Sequence, residues 1–115
     1  MIYKGSCHCG AIEVEAEGQL EQAFECNCSH CSRKGYLLWF LPREQVKFTA
    51  QEGKFGIYRF NQHVIEHHFC LRCGCAPVAF GKLRSGADRA VVNVRCLQGV
   101  EPATLQITQV DGRKF

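Results

Sequence analysis

The sequence predicts a single, mainly β domain that is cross-linked by bound metal, and two observations lead to this prediction. Short apolar segments alternating with polar residues recur along the 115 residues, whereas little of the chain shows the 3.6-residue period of a helix. Nine cysteines are also present, most of them in three clusters between those segments. A chain of this length is typically one domain, so we assign residues 1–115 to one folding unit.

Alternation and turn signals predict the strands in chain order. Residues 12–17 alternate apolar and acidic side chains up to Gly18, which is the pattern of a half-buried strand. The aromatic run 36–41 ends at Pro42 and predicts a buried strand. Residues 61–62, Asn-Gln, separate two apolar segments as in a hairpin. The other predicted strands lie at residues 46–48, 57–60, 64–69, 78–80, 90–94 and 105–110, and one helical turn is predicted at 42–45.

The cysteine pattern favours metal binding over disulfides. The count is odd, and several thiols lie one or two residues apart. The N-terminal residues lack the apolar core of a secretory signal, and no apolar run approaches the roughly 18 residues that span a bilayer. We therefore expect a cytoplasmic protein without membrane contact, whose thiols stay reduced. Zinc is the expected metal, because neither ferredoxin spacing of an iron–sulfur protein fits.

Each short cysteine motif supplies part of a tetrahedral site. Thiolates two or three residues apart in a tight turn converge on one zinc ion at about 2.3 Å. In FCLRCG, residues 69–74, Gly74 is free to take the positive φ that turns backbone amides toward sulfur. GSCHCG, residues 5–10, is a second pair flanked by glycines, and CNCSHC, residues 26–31, places three thiols within six positions. Buried packing explains a single stray cysteine but not three clusters.

In order, the motifs GSCHCG, CNCSHCSRKG and FCLRCG, with the terminal VDGRKF, closely resemble the glutathione-dependent formaldehyde-activating enzyme family, which also contains centromere protein V. The resemblance spans nearly the whole chain, although classical members are longer. It implies a β-tent of two antiparallel sheets pinned by zinc, similar to methionine sulfoxide reductase B and the zinc chaperones that bind Rab proteins. It also implies two zinc ions per chain. The ligands would be Cys7, Cys9, Cys70 and Cys73 in a structural site and Cys26, Cys28 and Cys31 in a second site.

Ligand counting supports the same division of roles. A four-sulfur site is saturated, and joining residues 7–9 to residues 70–73 closes a loop of about 60 residues, which stabilises the fold by several kcal/mol in the chain-entropy model. A three-sulfur site keeps one position for water or substrate. We therefore expect a zinc-dependent, carbon–sulfur lyase-like enzyme. It would form or cleave the adduct between a small-molecule thiol such as glutathione and an aldehyde or similar substrate.

Four residues beside these motifs have two interpretations each. Arg33 and Lys34 can meet a substrate carboxylate, but solvated loop charge is the commoner role. His30 lies between two ligands, where coordination of the same ion is sterically awkward, so we expect it beside the site. Cys75 is expected to be a buried thiol. A fourth sulfur supplied by Cys75 would instead saturate the second zinc and exclude substrate.

The alternative function is a non-catalytic zinc module that binds protein or nucleic acid. The formal net charge of +3 favours it at first sight. Seven thiolates and two zinc ions together bring that charge near zero, and no run of basic residues offers a phosphate track. We therefore expect no nucleic-acid partner. Nucleic-acid binding would gain support if the scattered basic residues shared one face of the fold. These residues are Lys54, Arg59, Lys82, Arg84 and Arg89.

Overall fold

A computed structural model describes residues 1–59, 65–82 and 86–112, and its secondary structure is mainly β. The strands in chain order are β1 (Ile2–Ser6), β2 (Ile12–Glu17), β3 (Gln22–Cys26), β4 (Leu38–Pro42), β5 (Val46–Ala50), β6 (Phe55–Tyr58), β7 (Glu66–Cys70), β8 (Val78–Lys82), β9 (Asp88–Asn93) and β10 (Gln106–Val110). One α-helix, α1, spans Ser29–Lys34. Short 3₁₀ turns occupy Arg43–Gln45, Val94–Cys96 and Pro102–Thr104.

The strands form two sheets, which confirms the predicted fold class. One sheet has three strands in the order β1-β2-β5, and the other has seven in the order β10-β3-β4-β9-β8-β7-β6. The strand pairs are antiparallel with one exception, because β10 runs parallel to β3 and places Val110 beside Cys26. An isolated bridge between Gly5 and Leu97 adds a backbone contact between β1 and the turn after β9.

The predicted strands include β2, β4 and β9, which bury apolar side chains, and also β6 and β10, which have no buried residue. In β2, Ile12, Val14 and Ala16 are buried while the residues between them are less buried or exposed. The sequence did not predict β1 and β3, whose only buried residues are the small Gly5 and Ala23. Without large apolar residues at alternate positions, neither strand carries the period-2 signal. The predicted hairpin turn at residues 61–62 lies outside the described residues.

The two sheets pack face to face around one main core. The three-stranded sheet contributes Val14, Ala16 and Val46, and the seven-stranded sheet contributes Trp39, Leu41, Val78, Ala90 and Val92 among others. Tyr3 of β1 meets Trp39 edge to face, with the ring centroids 5.4 Å apart. Each fully buried large side chain contributes about 1.5–3 kcal/mol through burial of apolar surface. Two smaller clusters of buried residues each surround one group of cysteines.

The sheet connections carry the cysteines. The turn between β1 and β2 holds the first pair, and the end of β7 with its following turn holds the pair at residues 70 and 73. The middle three lie at the end of β3 and in the first turns of α1. Among the residues described, no helix has the length and apolar character needed to cross a membrane.

Candidate functional site

Four cysteines from the β1–β2 and β7–β8 connections converge, and we call them the four-cysteine cluster: Cys7, Cys9, Cys70 and Cys73. Their sulfurs all lie within 4.8 Å of one another. The Cys7 and Cys9 sulfurs are 3.7 Å apart, and those of Cys9 and Cys70 are 3.5 Å apart. Sulfurs at about 2.3 Å from a tetrahedral zinc are separated by about 3.8 Å, so this donor set fits zinc.

Backbone amides point at the sulfurs of this cluster. The Ile12 amide donates to the Cys7 sulfur at 3.3 Å, and two amides of the turn after Cys70 donate to the Cys70 sulfur at 3.3 and 3.4 Å. Hydrogen bonds of this kind favour the thiolate, which is the form that binds metal. They lower the pKa of Cys70, the largest contribution coming from the Cys73 amide.

The turn after Cys70 has the geometry that the sequence predicted for a metal knuckle. Gly74 has φ 81° and its amide donates to the Cys70 carbonyl at 2.9 Å. Burial alone would raise the pKa of Cys73, but hydrogen bonds from the backbone amides of Cys75 and Cys9 outweigh it and lower that pKa to about 6. The turn therefore presents a sulfur that is readily ionised at neutral pH.

The other three cysteines form a second group, the three-cysteine cluster: Cys26, Cys28 and Cys31. Their sulfurs also lie within 4.8 Å of one another. Cys28 is the N-cap of α1, and its sulfur accepts the Cys31 amide at 3.3 Å. The Cys28 amide in turn donates to the Cys26 sulfur at 3.5 Å. Within the described ranges, no fourth Cys, His, Asp or Glu joins this group.

Cys75 lies with the four-cysteine cluster rather than with the three-cysteine cluster. It packs against the buried group formed by Cys7, Ile12 and Cys70, and its carbonyl accepts the Cys70 amide at 2.9 Å. Cys96 is half-buried, and burial raises the pKa of its thiol to about 11. Neither thiol belongs to either group of sulfurs, so the three-cysteine cluster has three protein sulfurs in this structure.

The backbone of Gly112 seals one side of the three-cysteine cluster. A Cβ at this position would overlap the Cys26 sulfur and would lie 3.1 Å from the Cys28 Cβ. The parallel pairing of β10 with β3 brings this glycine there, and the Asn27 amide fixes the approach by donating to the Val110 carbonyl at 3.2 Å. The terminal VDGRKF motif thus includes a residue that touches the site.

Gly112→Ala is expected to disturb the three-cysteine cluster while leaving the four-cysteine cluster in place. The added methyl group overlaps sulfur, and relief requires a shift of backbone or of Cys26, at about 1–3 kcal/mol. We expect metal bound per chain to fall by one equivalent in direct metal analysis, with a cooperative melt retained. A variant with the parent's full metal content would show that this contact yields without consequence.

Four polar aromatic residues, the imidazole–phenol cluster, lie beside the three-cysteine cluster: His30, Tyr36, Tyr58 and His67. The His30 and His67 ring centroids are 4.4 Å apart, and those of His30 and Tyr58 are 5.2 Å apart. The Tyr36 Oη and His30 Nε2 are separated by 3.3 Å. Tyr36 also packs in a small buried group with Cys31 and Ala76, which joins this cluster to the cysteines.

Burial keeps both imidazoles neutral. His67 is only 8% exposed, and burial, reinforced by the positive charges of His30, His68 and Lys34, lowers its pKa to about 4. Burial also lowers the pKa of His30, with Lys34 adding to the effect. Burial raises the pKa of Tyr36, and the charge of Cys31 adds to this. At neutral pH His30, Tyr36 and His67 are therefore uncharged groups that can donate or accept hydrogen bonds.

His67→Phe is expected to reduce the loss of stability in acid. An unfolded histidine takes up its proton near pH 6.5, whereas folded His67 does so near pH 4. The unfolded state therefore binds more protons between these values, and the free energy of unfolding falls as the pH drops. After solvent screening is allowed for, His67 accounts for a fall of about 2 kcal/mol in the free energy of unfolding. Denaturant unfolding of the parent and the variant at pH 7 and pH 4.5, at matched zinc saturation, measures this effect. Equal falls in the free energy of unfolding of the two proteins on acidification would contradict the prediction.

The structure also places the basic residues considered from the sequence. Arg33 is exposed and its Nη1 donates to the Ser29 carbonyl at 2.7 Å, within α1. Lys34 is exposed and lies close enough to His30 and His67 to affect their pKa values.

Two residues of the imidazole–phenol cluster, Tyr58 and His67, had no assigned role from the sequence. The pairing of β6 with β7 places them opposite each other. The tyrosine–histidine contact of Tyr36 with His30 likewise depends on the fold.

Comparison with known proteins gives consistent matches. Residues 2–109 match the family described as glutathione-dependent formaldehyde-activating enzyme. A Colletotrichum graminicola protein, provisionally named as such an enzyme, is 36% identical over 74 residues, which is 59% of this chain and 38% of that protein. The chain thus matches well under half the length of this relative. The crystal structure of a Rhodobacter sphaeroides protein superposes with a TM-score of 0.76 at 31% identity, covering 91% of this chain and 99% of that one.

Proposed function

Because the chain belongs to the glutathione-dependent formaldehyde-activating enzyme family, we propose that it is a zinc-dependent enzyme of carbon–sulfur lyase type. It would form or cleave the adduct between a thiol such as glutathione and an aldehyde or similar small molecule. One observation carries the proposal. The three-cysteine cluster gathers three sulfurs within 4.8 Å, with no fourth candidate ligand from the described part of the chain. Such a site keeps a position for substrate.

The two clusters would have different roles. Cys7, Cys9, Cys70 and Cys73 would hold a structural zinc with a complete set of four sulfurs. Cys26, Cys28 and Cys31 would hold the second zinc. When bound there, zinc would supply a fourth coordination position at which an incoming thiol loses its proton near neutral pH.

Burial raises the pKa values of Cys26 and Cys31, so Cys28 is the thiol of the three-cysteine cluster that ionises most readily. Burial would raise the pKa of Cys28, but the Cys31 amide and neighbouring hydrogen bonds outweigh it, so that pKa is lowered. Cys31 is 8% exposed and packs against Tyr36, which shields one side of the site from water. Gly112 covers the Cys26 side. Lys34 is exposed at the end of α1 and is placed to attract the carboxylates of a thiol such as glutathione.

The alternative, a zinc module that binds nucleic acid, has less support from the described basic residues. Lys82 pairs with Asp88 at 3.0 Å, and Arg59 pairs with Glu66. Gly81 opposes Arg89 and Lys82 opposes Asp88, so alternation points the Lys82 and Arg89 side chains to opposite faces of the sheet. Arg84 lies outside the described residues. These cations do not form the single track that a phosphate backbone requires.

Metal analysis combined with zinc-edge X-ray absorption tests the proposal. Protein purified without chelator should carry two zinc ions per chain, and glutathione should change the sulfur coordination of one of them. The same protein should accelerate the exchange of glutathione and formaldehyde with their adduct, and magnetisation-transfer NMR measures the rate of that exchange. Four protein sulfurs on both zinc ions, unchanged by thiol, together with no acceleration, would exclude the enzyme and leave the binding module.

A further inference from the structure

The imidazole–phenol cluster supplies none of the potential metal ligands grouped in the three-cysteine cluster, but it borders that cluster. Tyr36 packs with Cys31, while its hydroxyl oxygen lies 3.3 Å from the His30 Nε2. His30 follows Cys28 by two residues but does not join the group of potential ligands. The hydroxyl and imidazole therefore form a hydrogen-bonded pair at the edge of the three-cysteine cluster.

The two faces of β7 differ in the chemistry around their histidines. On one face His68 packs among the rings of Phe48, Phe55 and Phe80, which is an ordinary hydrophobic environment. On the other face His67 meets His30 at 4.4 Å and stacks nearly parallel to Tyr36 at 6.0 Å. Grouping several polar rings in a half-buried place costs desolvation free energy that phenylalanine would avoid. Among the described residues, the polar cluster lies on the face of β7 that borders the three-cysteine cluster, opposite the face that carries His68.

The His30 ring is held in a defined orientation. It lies between Tyr58, stacked at 5.2 Å with an interplanar angle of 29°, and His67 at 4.4 Å. Tyr58 is 48% exposed and forms the solvent side of this arrangement, whereas His67 forms the buried side. A ring fixed in this way presents its Nε2 to the Tyr36 hydroxyl.

Resting on the function proposed above, we propose that the Tyr36 hydroxyl donates a hydrogen bond to the aldehyde oxygen as the thiol adds, and that His30 is the positioning residue that orients it. When His30 carries its proton on Nε2 and donates it to the Tyr36 oxygen, the phenolic proton is left to be donated to substrate. An incoming carbonyl oxygen only accepts hydrogen bonds, so the donor and the acceptor match.

The step balances without an oxidant or reductant. The sulfur–hydrogen bond of the thiol breaks and its proton passes to water. A sulfur lone pair forms the carbon–sulfur bond, and the carbonyl π pair moves to oxygen. That oxygen, held by the Tyr36 hydroxyl while its charge develops, then takes a proton from water. Donors aimed at a developing oxyanion act on the transition state, so their removal lowers kcat more than it weakens thiol binding.

A pair of matched phenol deletions tests the role of Tyr36. Tyr36→Phe removes the hydroxyl and retains the ring that packs against Cys31. Tyr3→Phe makes the same change on a tyrosine whose ring meets Trp39 edge to face at the main core. We expect kcat for adduct formation from glutathione and formaldehyde to fall about 100-fold in Tyr36→Phe. Zinc content and glutathione affinity should stay within twofold of the parent, and Tyr3→Phe should match the parent.

A measurement that does not depend on turnover accompanies the kinetics. Isotope-labelled formamide, an unreactive carbonyl probe, is added to the glutathione-loaded protein and its carbonyl stretch is recorded by infrared difference spectroscopy. A hydrogen bond from Tyr36 lowers the frequency of the bound probe in the parent and in Tyr3→Phe. The band should return toward the free value in Tyr36→Phe, and His30→Phe should give a smaller return with a smaller loss of kcat.

The outcomes separate this inference from the function on which it rests. A Tyr36→Phe protein with kcat within threefold of the parent and an unchanged probe band overturns the inference and leaves the proposed function intact. Parallel loss of zinc or glutathione binding in Tyr36→Phe also overturns it, because the role is then structural. A parent protein without thiol-dependent turnover overturns the proposed function, and the inference falls with it.

Discussion

Cys70→Ser is expected to unfold or aggregate the protein. Cys70 is 1% exposed, and its sulfur lies 3.5 Å from that of Cys9, which is 61 residues earlier in the chain. A metal cross-link across a loop of that length contributes about 4 kcal/mol in the chain-entropy model. Typical domains have only about 5–15 kcal/mol of net stability. Because metal-binding free energy is also folding free energy at such a site, the loss removes a large share of the total.

Thermal unfolding followed by circular dichroism, with metal analysis of the soluble fraction, measures this effect. Cys96→Ser is the matched control, since Cys96 is a half-buried thiol outside both groups of sulfurs. The control should melt within a few degrees of the parent and keep its zinc. A Cys70→Ser protein with a cooperative melt near the parent's and full metal content would show that the four-cysteine cluster does not hold the fold together.

Cys28→Ser is expected to abolish thiol-dependent turnover while the fold remains. The three-cysteine cluster spans only residues 26–31, so the loop that its metal closes is short and contributes less to stability than the four-cysteine cluster. Cys28 is also the N-cap of α1, where its side chain accepts the Cys31 amide. Serine is a preferred N-cap residue, so this substitution keeps the helix while removing one metal ligand.

Turnover of the glutathione–formaldehyde adduct and a thermal melt, measured on the same preparation, check this expectation. Ser32→Ala is the control within α1, because Ser32 is exposed and its hydroxyl makes only a long 3.4 Å contact with the Ser29 carbonyl. It should retain the parent's activity. A Cys28→Ser protein that unfolds as readily as Cys70→Ser would reverse the roles assigned to the two clusters.

Alternation predicted β2, and apolar runs with turn signals predicted most of the other strands, including β6 and β10, which have no buried residue. β1 and β3 bury only Gly5 and Ala23, which leave no hydrophobic period to detect. α1 has six residues, fewer than two helical turns, so a 3.6-residue pattern cannot develop in it. The parallel pairing of β10 with β3 joins strands far apart in sequence and has no local signal.

Spacing predicted the three cysteine motifs, because the geometry of each motif is local, whereas the family resemblance implied that residues 7–9 join residues 70–73. The assignment of these cysteines as zinc ligands stays a proposal. The imidazole–phenol cluster was beyond prediction, since Tyr58 and His67 meet only through the register of β6 and β7, and His30 reaches them from α1. The contact of Gly112 with Cys26 depends in the same way on the position of β10.

The distance along the chain between the halves of the four-cysteine cluster has a consequence during synthesis. A ribosome adds about 5–20 residues per second, so the 61 residues from Cys9 to Cys70 correspond to about 3–12 seconds of translation. For that time Cys7 and Cys9 emerge as half a site, with their partners not yet made. All three members of the three-cysteine cluster are translated within about a second of one another. The nascent chain therefore completes the three-cysteine cluster well before the four-cysteine cluster.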